Sequence, residues 1–110
     1  RVRLRETPPA LTADLARIDA LWADGLARFG GPFLAGSTFT AVDAFFAPVA
    51  FRIQSYGLAL APEAMAYAQR LRELPNMRAW YTAGLAETWR DEPHEAEIRG
   101  HGDVVEDLRG

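Results

Sequence analysis

Few side chains in this chain have the means to do chemistry. Cysteine is absent, so there is no thiolate nucleophile, no disulfide and no cysteine metal site. The only histidines are His94 and His101, and with Glu92 or Asp103 they have the donor types of a metal site. Their spacing matches no helix face, so a solvated polar segment is the plainer expectation and no metal is expected. Arg1, Arg3 and Arg5 offer positive charge to an anionic ligand such as a carboxylate, or form a solvated run. Arg52 interrupts an apolar stretch, as a structural ion pair or a side chain reaching out of the core. Thr40 and Asp43 put a hydroxyl and a carboxylate at the spacing of a helix cap, not of a catalytic pair. Trp22, Trp80, Phe45 and Phe46 read as core fillers, whereas Trp89, beside a polar stretch, is a candidate pocket wall. No Gly-x-Gly-x-x-Gly, P-loop or Gly-x-Ser-x-Gly occurs.

These groups must be held by helices. Leu11, Leu15, Ile18, Trp22, Leu26 and Phe29 recur at spacings of three or four, the mark of an amphipathic helix that Gly30-Gly31-Pro32 ends. At Thr40-Ala41-Val42-Asp43 a second helix starts. Asp43 reaches back to the Thr40 amide and favours the positive end of the helix dipole. Phe39 precedes the cap as a hydrophobic staple for Ala44. From Ala44 to Ile53 this helix is apolar nearly all round, which predicts a central, buried helix, with a kink at Pro48. Glu63 to Leu74 reads as a short amphipathic helix carrying Ala64, Tyr67, Ala68 and Leu71 on one face. Pro75 opens another, with Met77, Trp80, Tyr81, Gly84 and Leu85 as its buried stripe. No repeat, heptad or alternating strand pattern is read, and the expected architecture is an all-α bundle of four to five helices.

Residues 1–6 read as the end of a truncated helix, 7–89 as one helical domain and 90–110 as a polar, loosely held tail. The chain has 110 residues, enough to bury roughly 60–70% of its unfolded surface. Its apolar share of 49% suits a globular domain, and its net charge of −3 argues against a nucleic-acid or anionic-membrane partner. No stretch approaches the roughly 20 apolar residues of a membrane span. A cytoplasmic location is expected. The first residue is Arg, not Met, so the chain is read as a piece of something longer.

Two segments together carry a resemblance. Phe33-Leu34-Ala35-Gly36 followed by Phe39-Thr40-Ala41-Val42-Asp43 is one, and Leu74-Pro75-Asn76-Met77-Arg78-Ala79-Trp80 is the other. In this order and separation they resemble the C-terminal helical domain of a glutathione S-transferase, over residues 11–89. The resemblance implies a thioredoxin-like domain preceding Arg1 that holds most of the glutathione site and the thiol-activating residue. It leaves no catalytic residue in this chain. What it implies here is the wall of the pocket for a small electrophilic substrate, with Arg1, Arg5 and Trp89 as candidate binding residues. Phe39, Thr40 and Asp43 remain structural. Glutathione would be the co-substrate of the intact protein, and a homodimer would be the usual assembly. The alternative is a non-catalytic interaction module of the same fold, such as those in translation factors and tRNA synthetases.

Overall fold

A computed structural model describes residues 1–109; Gly110, the last residue of the expected tail, lies outside the described residues. The elements in chain order are β1 (Val2–Leu4), α1 (Pro9–Phe29), α2 (Ala41–Tyr56), α3 (Pro62–Glu73), α4 (Pro75–Ala86), α5 (Glu92–His101) and β2 (Gly102–Val104). The described residues form an all-α domain of five helices with one two-stranded antiparallel sheet.

Local chemistry accounts for the helix boundaries. Prolines open α1, α3 and α4, where the missing N–H would have had no helical acceptor. Gly30 ends α1 at φ 82°, a left-handed conformation that glycine adopts without strain. The core then forms where three helices meet. Ala50 and Ile53 of α2 cluster with Ala64, Tyr67, Ala68 and Leu71 of α3, while Trp22 and Leu26 of α1 close the third side. Large rings fill the space that the alanines leave. Trp22 meets Tyr67 edge-on at 4.9 Å and Phe46 at 5.6 Å.

The apolar run of α2 is buried on one side only. Ala47, Ala50 and Ile53 are inside, but Val42, Ala44, Phe45 and Pro48 are exposed, Phe45 by 75%. Apolar composition here does not mean burial all round. The same correction applies to α4. It has no buried residue, and Trp80 is 61% exposed. Of the expected core fillers, Trp22 is buried and Phe46 packs against the core, whereas Phe45 and Trp80 do neither. Helix α2 runs through Pro48 on its exposed side, where water can satisfy the carbonyl left without a donor.

Both chain ends depart from expectation. Residues 1–6 are not the end of a helix: Val2–Leu4 is a strand that pairs with Gly102–Val104, in the register Val2 with Val104 and Leu4 with Gly102. Arg-Val-Arg-Leu-Arg alternates with period two, so it suits a strand with one covered face and one wet one. Nor does the stretch after Arg90 lack regular structure. It folds into α5 and returns as β2.

Candidate functional site

The most specific local structure is the start of α2. Thr40 and Asp43 close a capping box, and the Thr40 N–H donates to Asp43 Oδ2 at 2.9 Å. The other carboxylate oxygen, Oδ1, turns inward. It accepts from the Leu34 N–H at 3.1 Å and from the Tyr67 hydroxyl at 2.5 Å. A fully buried carboxylate is tolerable because each oxygen has donors. Burial first, then the bond to the Asp43 carboxylate, push the Tyr67 phenol far above its ordinary range. Phe39 before the cap is half-exposed and stands edge-on to Phe33 at 6.1 Å. This cluster joins the α1–α2 loop, α2 and α3; with every oxygen occupied it is a structural joint.

A cavity of about 340 Å³ lies between α4, α5 and the terminal sheet. Tyr81, Leu85, Ile98, Val104 and Leu108 supply its apolar surface, and Arg1 and Ser55 supply polar groups. Tyr81 is fixed by stacking on Phe51 at 5.4 Å and 11°. The cations at the rim are not free charges. Arg90 pairs with Asp107 at 3.0 Å and with Glu95 at 3.4 Å. Arg109 donates to the carbonyls of Glu87 and Trp89 and lies 3.8 Å from Glu95. The Arg109 amide, and then the Arg90 guanidinium, hold the Asp107 carboxyl below the usual carboxylate range. With its rim arginines held by carboxylates and carbonyls, the lining is suited to holding a small, mostly apolar molecule.

The structure places the sequence-derived binding residues as follows. Arg1 lines this cavity and pairs with Glu106 at 3.6 Å. Arg5 does not reach it. Its guanidinium is occupied by Asp103 at 3.0 Å and by the carbonyls of Arg99, Gly100 and Gly102. Trp89 is 67% exposed in the α4–α5 connection, and its backbone carbonyl, held by Arg109, is what ties it to the rim. The three residues are therefore not gathered into one site. Arg52 is exposed. Asp91 caps α5 by accepting from the His94 N–H, with the His94 ring 2.5 Å from its carboxylate, and His101 ends that helix. Among the described residues no group of three or more His, Asp or Glu side chains could hold a metal ion. The rim residues Arg90, Glu95 and Arg109 went unnoticed in the sequence. A signal for them existed: Asp91, then Pro93 and Glu95, is a helix start, and Arg99 with His101 a helix end.

A second concavity, about 220 Å³, runs between α2 and α4 and is lined by Ala44, Ala47, Pro48, Phe51, Met77 and Trp80. None of these carries a charge.

An all-α domain built around a capped helix buried on one side is thus the class that the fold defines. Residues 6–83 match the family described as glutathione S-transferase, C-terminal domain. The chain belongs to that family. No match was found among the curated proteins or among the solved structures. No helix of the described residues is long and apolar enough to cross a membrane.

Proposed function

We propose that this chain is the helical half of a glutathione transferase, working beside a thioredoxin-like domain that binds glutathione and activates its thiol. The thiolate would attack a small electrophile, and the cavity between α4, α5 and the terminal sheet would form part of that electrophile's wall. The observation that carries this reading is the family match over residues 6–83, which contains the Thr40–Asp43 joint. Arg1 and the α4–α5 connection bearing Trp89 border the cavity, in keeping with a substrate wall drawn from both ends of the domain. Arg5 serves the sheet that frames it. The uncharged α2–α4 groove, with the exposed Trp80 in its wall, suits a covering apolar surface, and we assign it to the thioredoxin-like domain. A cytoplasmic homodimer is the assembly this reading favours.

The test compares residues 1–110 alone with the same chain joined to the domain encoded upstream, using glutathione and a chromogenic aryl halide. Turnover by the two-domain protein and none by the isolated chain is expected. Turnover by residues 1–110 alone, or an upstream segment with no thioredoxin-like domain, would overturn it. Loss of all glutathione dependence together with specific capture of translation proteins would favour a non-catalytic assembly module.

A further inference from the structure

The two segments outside the family match, before residue 6 and after residue 83, meet each other. Strand β2 lies on β1, and α5 packs chiefly on β2, so the pairing with β1 is the main attachment of the C-terminal segment. That attachment is polar. The Arg5 N–H donates to the His101 carbonyl at 3.2 Å, and the Val105 N–H to the Arg1 carbonyl at 3.0 Å. Arg3 and Arg5 both face Asp103, and Arg1 faces Glu106. The Arg5 guanidinium also ties the carbonyls at the end of α5. Every one of these side chains is at least one-third exposed.

From Glu87 to Arg109 only Gly102 is buried. Its position allows no side chain: a Cβ there would stand 2.8 Å from the Arg3 carbonyl oxygen and 2.6 Å from a methyl of Val2. A segment with almost no buried apolar surface and an exposed ladder belongs to the least stable part of a fold. Exposed ion pairs hold such a segment weakly, and salt weakens them further.

We infer that residues 92–106 form a clasp that opens as a unit, swinging on the Glu87–Asp91 connection, while the α1–α4 bundle stays folded. The clasp is sensitive to ionic strength because its seam is made of the Arg1, Arg3 and Arg5 pairs with Asp103 and Glu106. Ile98 and Val104 move away with it, so opening removes much of one wall of the cavity and exposes Tyr81 and Leu85. That consequence for substrate entry rests on the functional reading above; the opening itself does not.

Hydrogen exchange on the full 110-residue chain tests the opening. Raising salt from about 0.05 M to about 0.5 M should speed exchange at Arg5 and Val105 about tenfold, and leave Ile53 and Leu71 unchanged. Gly102→Ala should give the same pattern at low salt, because the strand can no longer seat. Arg5→Gln should lower the salt dependence. Salt-independent exchange at Arg5 and Val105, or exchange that tracks the Ile53 and Leu71 amides, would overturn the proposal. Exchange is read without glutathione or electrophile. An absence of conjugating activity therefore leaves the clasp standing, and a rigid clasp leaves the proposed activity standing.

Discussion

The Tyr67 hydroxyl donates to Asp43 Oδ1 at 2.5 Å, and both side chains are completely buried. This bond fixes the first turn of α2 to the middle of α3. The Leu34 N–H shares the same oxygen, so one carboxylate also orders the loop that leads into α2. Trp22 stands edge-on against the phenol ring and restricts where it can go.

Removing either partner should therefore cost more than a surface cap would. Tyr67→Phe leaves a buried carboxylate oxygen with one donor fewer, a loss of about 1–3 kcal/mol. Asp43→Ala strands the Leu34 and Thr40 amides as well as the phenol, and should exceed it. Urea denaturation of both single variants and the double variant measures the coupling, expected between about 0.5 and 3 kcal/mol. Additive effects would show that the two groups stabilise the domain separately.

The same pair gives the domain an alkaline limit. Tyr67 keeps its proton in the folded protein well beyond the ordinary phenol value of 10.0, first because it is buried and then because it donates to Asp43. Its folded value is raised, so its contribution is fully present below 10.0 and declines as pH rises past it. Wild type should lose stability above that pH more steeply than Tyr67→Phe. Chemical denaturation at a series of alkaline pH values compares the slopes. Parallel curves would refute the idea.

The helical frame was legible where amphipathic spacing governs, as in Trp22 and Leu26 on α1 or Tyr67 and Leu71 on α3. The Thr40–Asp43 box was legible because its parts are three residues apart. Its inner half was not: Tyr67 joins Asp43 across 24 positions, and a tyrosine within an apolar stripe looks like any core residue. Composition misled at Phe45 and Trp80, since an apolar helix face reads the same whether a neighbour covers it or not. Strand β1 is three residues long, too short for its alternation to stand out, and its partner lies about a hundred residues away. Charged α5 lacks a hydrophobic stripe, so only its end signals marked it.

At the start of α5, Asp91 accepts from the His94 amide and its carboxylate lies 2.5 Å from the imidazole. The bond to Asp91 raises the His94 value above 6.5, and the bond to His94 lowers Asp91 below 3.8. The His94 contribution is present below 6.5 and lost as pH rises through its raised value. The Asp91 contribution is present above 3.8 and lost as pH falls through its lowered value. The first turn of α5 should be firmest between those ordinary values and fray on either side. Proton NMR of His94 in wild type and Asp91→Asn checks it; an unchanged titration in the variant would contradict the pairing.

The three tryptophans separate the core from the surface assigned to a partner domain. Trp22 is fully buried among Phe46 and Tyr67, so Trp22→Ala should cost about 3–5 kcal/mol. Trp80 is 61% exposed, and within the domain it touches Phe51 at 5.2 Å, so Trp80→Ala should cost no more than about 1 kcal/mol. Iodide should quench Trp80 and Trp89 in the isolated chain and spare Trp22, which single-tryptophan variants resolve. In the two-domain protein Trp80 should become protected, because the uncharged groove it borders would be covered. Trp89, outside that groove, should stay accessible. Equal quenching of Trp80 with and without the upstream domain would place the interface elsewhere.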